Sequence, residues 1–177
     1  SDNFEFGVDW NILRSRLAAG FGTSPMAISS AAGTLPNAGS VNGGGSVLKA
    51  DGTVATCFQG AGKVYSWDGA TTFNQIGTCN SSSKLRGHWR SHNWSLTNKV
   101  LFTDLTLNDT VKEWDGTTFR SVAFLKTDGS SFGTFKAKYL SVNNELAMYA
   151  NVNDGSGPLP HLIVGSKTSD YLTISST

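Results

Sequence analysis

The segment GHWRSHNW, residues 87–94, holds the closest grouping of side chains that could do chemistry. His88 and His92 are four apart, the spacing at which two imidazoles on one helix face bind a single zinc ion. On a strand the two rings also share a face, but they lie more than about 13 Å apart along the backbone. Because no nearby Cys or carboxylate completes a ligand set, we predict a strand here and no metal site.

Tryptophan is the second candidate for chemistry, because its ring can stack on a sugar. The chain has five: Trp10, Trp67, Trp89, Trp94 and Trp114. A carbohydrate-binding interpretation would use Trp89 and Trp94, with Arg90 beside them, as its binding residues. Trp67 and Trp114 instead recur within the same local sequence, which favours a packing role for both.

The aspartates are predicted to stabilise turns and not to catalyse. Five of them directly precede a glycine: Asp51, Asp68, Asp115, Asp128 and Asp154. Asp-Gly is a turn dipeptide, because the glycine accepts the positive φ that tight hairpins require. A glycoside hydrolase would need two facing carboxylates, and the sequence marks no such pair. Nucleophile-elbow, phosphate-loop and His-Glu-x-x-His motifs are absent as well. We therefore predict no catalytic residue and no cofactor.

The elements that must position these residues are predicted to be strands. Charged residues make up 15% of the chain and glycine 20 of 177 residues, a composition that favours turns and exposed strands over helices. The net charge of +1 offers no field to attract nucleic acid or an anionic membrane. No apolar run is long enough to span a bilayer, and no signal peptide is visible. Without a secretion signal, Cys57 and Cys79 are expected to be thiols.

A repeat organises most of the chain. KVYSWDGATTFNQI and TVKEWDGTTFRSV share Trp-Asp-Gly, two threonines and a Phe, and Trp114 follows Trp67 by 47 residues. Val100 follows Val54 by 46 residues, and a weaker third copy includes Leu146, 46 residues after Val100. Each copy contains four short strands, and a period of 40 to 50 residues with four strands is typical of β-propeller blades.

The fold predicted from this repeat is all-β. It is a propeller-like stack of about three four-stranded antiparallel units in residues 47–177. The approximate bounds of the units are 47–83, 84–130 and 131–177. Within the first two, Trp and Phe lie on either side of the Asp-Gly hairpin and are expected to pack as a cross-strand pair.

Residues 1–46 differ from the rest and are predicted to be a loop-rich N-terminal arm. A short helix is expected around Trp10 to Leu17. The glycine-rich VNGGGSV stretch lacks the Lys-Ser/Thr of a phosphate-binding loop and is predicted to be a flexible hinge.

The two strong copies resemble the incomplete β-propeller of structural proteins from tailed bacteriophages, in the tail or head-to-tail connector. The resemblance covers about residues 47–175. The third copy is similar in layout, although Glu145 stands where the family usually has an Arg after the Asn-Asn turn. The resemblance implies a virion component, assembled in the host cytoplasm, whose partners are other copies of itself and other virion proteins.

Three units are fewer than the four to eight blades that close a propeller. We therefore expect either that the chain is part of a longer polypeptide, or that neighbouring subunits cover its open faces and order the arm. The alternative function is a carbohydrate- or receptor-binding propeller module that takes a glycan, and a glycoside hydrolase is a third hypothesis.

Overall fold

The computed structural model describes residues 35–36, 41–49, 51–69, 71–88, 99–143 and 146–175. Within these ranges the chain forms thirteen strands and no helix, which confirms the all-β class. The helix expected at Trp10 to Leu17 lies outside the described residues.

The strands form three antiparallel meanders of four strands and one additional short strand. Unit 1 contains β1 Gly43–Leu48, β2 Val54–Gly60, β3 Lys63–Trp67 and β4 Phe73–Thr78. Unit 2 contains β5 Leu85–His88, β6 Val100–Asp104, β7 Lys112–Trp114 and β8 Phe119–Ser121. After β9 Leu125–Lys126, unit 3 contains β10 Lys136–Asn143, β11 Leu146–Asn153, β12 Pro158–Lys167 and β13 Asp170–Ile174.

Units 1 and 2 are joined into one eight-stranded sheet of order β4-β3-β2-β1-β5-β6-β7-β8. Their first strands, β1 and β5, pair in parallel through Gly44 and Arg86. The far edges of this sheet also approach each other, because Phe119 of β8 packs directly over Gly77 of β4. Unit 3 forms a second sheet of order β10-β11-β12-β13-β9, in which β9 runs parallel to β13.

The glycine-rich stretch predicted to be a flexible hinge is instead part of strand β1. Glycine is required there by close packing of β1 on β5. A Cβ added to Gly43 would overlap the Leu85 carbonyl, and one added to Gly87 would lie 2.8 Å from the Cα of Gly45. The hinge prediction was wrong because local composition carries no information about an approaching strand.

Unit 2 is the middle layer, with a hydrophobic core on each side. Strand β6 is buried along its whole length and contributes to both cores. Core A, between units 1 and 2, contains Val47, Cys57, Val64, Leu85, Val100, Phe102 and Trp114. Core B, between units 2 and 3, contains Leu101, Val111, Val122, Phe124, Phe135, Ala137, Leu140, Ala147, Tyr149, Val152, Val164, Tyr171 and Ile174.

The turn role of the Asp-Gly pairs is confirmed. The glycine after each of the five aspartates has a positive φ. Each aspartate also accepts a hydrogen bond from a backbone N–H a few residues later in its turn. In the turn after β1, for example, the Thr53 hydroxyl and backbone N–H both donate to Asp51 and lower the pKa of its carboxyl.

Candidate functional site

All three predicted binding residues, Trp89, Arg90 and Trp94, lie outside the described residues, as does His92. His88 ends β5, and its Nε2 is 2.8 Å from Oγ1 of Thr103. Burial, with a smaller contribution from Arg86, lowers the pKa of His88 to about 4. The ring is therefore neutral at neutral pH and has a hydrogen-bonded, packed environment. Within the described ranges, no group of three potential metal ligands is found.

The repeated motif forms the same aromatic cluster in units 1 and 2. Trp67 pairs with Phe73 across the β3–β4 hairpin, and Trp114 pairs with Phe119 across the β7–β8 hairpin. A third ring joins each pair: Phe58 meets Phe73 edge-on at 5.9 Å, and Phe102 meets Phe119 edge-on at 5.7 Å. We call these the unit 1 triad (Phe58, Trp67, Phe73) and the unit 2 triad (Phe102, Trp114, Phe119).

The third ring of each triad was missed at the sequence level because the repeat is not evenly spaced. Thr56 pairs with Trp67, whereas Val100 pairs with Trp114, so equivalent residues of β2 and β6 are 44 apart. Val54 and Val100, which are 46 residues apart, therefore do not occupy equivalent positions in β2 and β6. The difference arises because the β6–β7 connection is longer than the β2–β3 turn. When the two units are aligned by their cross-strand partners instead of by identical residue types, Phe58 and Phe102 occupy equivalent positions.

The two triads lie on equivalent faces in different environments. We call this side of each unit its front face and the opposite side its rear face. The front face of unit 2 packs in core A against the rear face of unit 1, and Trp114 is fully buried there. The front face of unit 1 has no such neighbouring unit among the described residues, and Phe58, Trp67 and Phe73 are only half-buried.

The front face of unit 1 continues from its triad to an exposed aliphatic pair. Leu48 and Val54 are cross-strand partners on β1 and β2, and Val54 is 66% exposed. Their side chains share the face of Thr56, which is two residues beyond Val54 on β2. At the other side of this face, Tyr65 is buried and its hydroxyl donates to the Pro36 carbonyl at 2.7 Å. The exposed apolar part of this face is thus the pair Leu48 and Val54, beside the half-buried triad.

The rear face of unit 3 is the other exposed apolar face. Tyr139, Ala150 and Ile163 occupy one rung across β10, β11 and β12. Met148 lies on the adjacent rung of the same face, two residues before Ala150. Tyr139, Met148 and Ile163 are all exposed, Ile163 by 56%. The front face of unit 3, in contrast, contributes to core B.

A groove of about 590 Å³ runs beside Trp67, between the Asp68-Gly69 and Asp115-Gly116 hairpins. Its lining includes Lys49, Thr53, Thr56, Ser66, Trp67, Asp68, Gly69 and Gly116. A smaller apolar groove of about 340 Å³ includes Leu48 and Val54. A half-exposed indole with hydroxyl groups nearby can stack on a sugar ring and hydrogen-bond its hydroxyls.

The buried carboxylate Glu113 joins units 2 and 3. The Tyr171 hydroxyl donates to Oε2 of Glu113 at 2.6 Å. Arg120 donates to Oε1, and Lys99 Nζ lies 3.6 Å from the same Oε1 atom. Burial and the hydrogen bond to Glu113 raise the pKa of Tyr171, so its hydroxyl remains a donor. Because Glu113 is buried and bonded to Tyr171, it links unit 2 to unit 3.

Asp104, fully buried at the end of β6, organises the connection to β7. Its carboxylate accepts hydrogen bonds from the backbone N–H groups of Lys84, Asn108 and Asp109 and from the hydroxyl of Ser83. Burial raises the pKa of Asp104, but the backbone hydrogen bonds outweigh it and the pKa is lowered overall. Because so many donors surround its carboxylate, we assign Asp104 the structural role of holding the β6–β7 connection in place.

Both cysteines are thiols, as predicted. Burial raises the pKa of Cys57 to about 12 and that of Cys79 to about 11. Neither therefore carries a reactive thiolate at neutral pH.

Comparisons with protein families, curated proteins and solved structures give no match for this chain. In the described part of the chain, no helix is long and apolar enough to cross a membrane.

Proposed function

We propose that this chain is a structural subunit that acts by assembly, in the tail or head-to-tail connector of a tailed-phage virion. The observation that carries the assembly part is the pair of exposed apolar faces, at the front of unit 1 and the rear of unit 3. Contiguous exposed apolar surface of this kind marks interaction sites. The virion context comes from the resemblance of the Trp-Asp-Gly units to phage propeller repeats.

We further propose that the three units are part of an incomplete propeller. Propeller blades are four-stranded sheets arranged around a central axis. In support, the front of one unit packs on the rear of the preceding unit twice in this chain. The first strands of units 1 and 2 are parallel neighbours, and the Thr103 hydroxyl donates to the Lys138 carbonyl at 2.9 Å, which connects β6 to the first strand of unit 3.

The assembly function is tested by the native mass across concentration and by the content of purified particles. Native mass spectrometry of the full chain, with or without other virion proteins, is expected to give a defined assembly. Antibody labelling of intact particles is expected to locate the chain in the tail or neck. A chain that stays monomeric and is absent from particles would contradict the proposal.

A second candidate function, carbohydrate or receptor binding, is favoured by the groove beside Trp67. It is tested on a glycan array with the wild-type chain and with Trp67→Ala and Trp89→Ala variants. Loss of binding in Trp67→Ala alone would locate the site in the groove, and loss in Trp89→Ala would locate it near the segment first singled out for sugar stacking. Absence of binding by the wild-type chain would remove this candidate.

A further inference from the structure

We propose that His88 is an acid-sensitive contact between units 2 and 3. The neutral ring supports a hydrogen bond that joins the two units, and protonation of the ring weakens this junction. The contact does not depend on the proposed assembly function, because it lies within one chain.

Two hydrogen bonds in series connect three strands at this junction. Thr103 of β6 is fully buried, and its hydroxyl donates to the Lys138 carbonyl of β10 at 2.9 Å. His88 of β5 reaches the same hydroxyl, with 2.8 Å between its Nε2 and Oγ1 of Thr103. Because β5 and β6 belong to unit 2 and β10 belongs to unit 3, the two bonds lie where the rear face of unit 2 meets unit 3.

The order of the two bonds determines which ring nitrogen carries the proton. A carbonyl oxygen only accepts, so the single hydroxyl proton of Thr103 is directed at Lys138. The Thr103 oxygen can then only accept from His88, which requires a proton on Nε2. The neutral ring is therefore the Nε2–H tautomer, and acid adds a second proton at Nδ1.

The strands packed at this junction carry more cations than carboxylates. Arg86 shares a face of β5 with His88, because the two are two residues apart. Strand β10 contributes Lys136 and Lys138, and β1, which pairs with β5, has no charged residue. Burial and the charge of Arg86 together lower the pKa of His88.

Two carboxylates lie on neighbouring strands, and both already have partners. Glu113 of β7 is on the same rung as His88, with Leu101 between them, and it belongs to the hydrogen-bonded cluster that links unit 2 to unit 3. Asp104 is at the opposite end of the β5–β6 pair, where backbone N–H groups donate to it. Neither forms an ion pair with His88, so protonation leaves the new charge without a partner on these strands.

Protonation of His88 therefore favours the unfolded state. The pKa of a histidine in an unfolded chain is about 6.5, whereas the pKa of folded His88 is about 4. Because the folded pKa is the lower one, stability is complete above about pH 6.5 and is lost as the pH falls toward the folded pKa. The ring is partly exposed, so we expect the equilibrium constant for unfolding to rise only roughly tenfold between pH 7.5 and pH 5.

The first test is a set of urea titrations of the full chain and two variants at these two pH values. His88→Gln keeps a neutral N–H donor for Thr103 but cannot take up a proton. His161→Gln is the matched control, because His161 is exposed on β12. We expect the wild type and His161→Gln to lose the same stability at pH 5, and His88→Gln to lose much less.

The second test is nitrogen-15 NMR of the imidazole rings in the wild type, which needs no variant to fold. The chain has three histidines, so each ring can be assigned through its own backbone signals. We expect the His88 ring to carry its proton on Nε2 at pH 7.5 and to titrate with a midpoint below pH 5.

Three results would overturn the proposal. A His88 midpoint above pH 6 would mean that the folded state does not disfavour the charge. A neutral ring with its proton on Nδ1 would contradict the order of the two hydrogen bonds. Equal acid sensitivity of His88→Gln and the wild type would place the acid-sensitive group elsewhere in the chain. Each of these results leaves the proposed assembly function untouched.

Discussion

At the residue scale, one pair of tryptophans shows how the same motif has two different energetic roles. Trp114 is fully buried in core A, whereas its counterpart Trp67 is half-exposed beside a groove. The difference arises from position in the stack, because unit 1 covers the front of unit 2 but no described unit covers the front of unit 1.

Trp114→Ala is expected to lower the free energy of unfolding by about 3 to 5 kcal/mol, the range for removing a buried large aromatic side chain. Trp67→Ala should cost roughly 1 to 2 kcal/mol in the dilute monomer, because less of its ring is buried. Denaturant titration at low protein concentration measures both. A loss for Trp114→Ala under about 1 kcal/mol would mean that this ring is exposed.

The strand glycines give a second residue-scale prediction. Gly43→Ala should destabilise the fold by about 1 to 3 kcal/mol, because the new Cβ would overlap the Leu85 carbonyl and force β1 away from β5. Gly165→Ala is the control, since its Cβ would lie 3.8 Å from Leu146 Cδ1, an ordinary contact. Thermal melting of the two variants should separate them clearly. Equal melting temperatures would argue against close packing of the first strands.

At the element scale, the β6–β7 connection depends on one carboxylate. Asp104 holds it by accepting backbone hydrogen bonds, and Asp109 extends the network by sharing the proton of the Ser83 hydroxyl, 2.6 Å from its carboxylate, with Asp104. This polar network links the segment between units 1 and 2 to the turn that follows β6.

Asp104→Asn is expected to cost about 1 to 3 kcal/mol at pH 7, because the amide group places a donor against backbone N–H groups that need an acceptor. The folded-state pKa of Asp104 is lowered, so its contribution is complete above the unfolded pKa of about 4. That contribution is lost as the pH falls toward the lower, folded-state pKa. The stability difference between the wild type and Asp104→Asn should therefore shrink at acidic pH.

Urea titrations at pH 7 and pH 3 measure this change. Asp51→Asn serves as the control for the size of the effect, because the pKa of Asp51 is also lowered but the residue is exposed and holds only its own turn. A difference for Asp104→Asn that is unchanged between the two pH values would mean that the carboxylate is not the group responsible.

A polar attachment between units 2 and 3 gives a second element-scale prediction. Tyr171→Phe removes the donor to buried Glu113 and should cost about 1.5 to 3 kcal/mol, as for hydrogen bonds to charged groups. A double-mutant cycle with Glu113→Ala, which removes the acceptor, isolates the coupling. Tyr139→Phe, on the exposed rear face, is a suitable control. Additive effects of Tyr171→Phe and Glu113→Ala would contradict a direct bond.

At the scale of the whole molecule, unit 2 contributes residues to both hydrophobic cores. Val100 and Phe102 belong to core A, and Leu101 between them belongs to core B. Loss of β6 would therefore open both cores at once.

We expect a single unfolding transition for residues 41–175, with tryptophan fluorescence and far-ultraviolet circular dichroism giving the same midpoint. Of the five tryptophans, Trp67 and Trp114 report on units 1 and 2 in a variant whose other three are replaced by Phe, while circular dichroism reports on all strands. Leu101→Ala should shift both curves together by the equivalent of about 2 to 5 kcal/mol. Separate midpoints would show that unit 3 unfolds independently of units 1 and 2.

The sequence by itself determined the all-β class, the hairpins at the Asp-Gly pairs and the four-strand content of each repeat. These features are local, since turn chemistry and β-branched or aromatic runs act within a few residues. The Trp-Phe pairs were predictable for the same reason, because a tight hairpin places them opposite each other.

Only the tertiary structure decided which faces are covered by another described unit. The triads needed Phe58 and Phe102, whose equivalence depends on strand pairing across loops of unequal length. The glycines of β1 predicted a hinge from composition alone, whereas the close approach of β5 is what requires them. Burial is a property of neighbours distant in the chain, so identical Trp-Asp-Gly motifs could not reveal that Trp114 is covered and Trp67 is half-exposed.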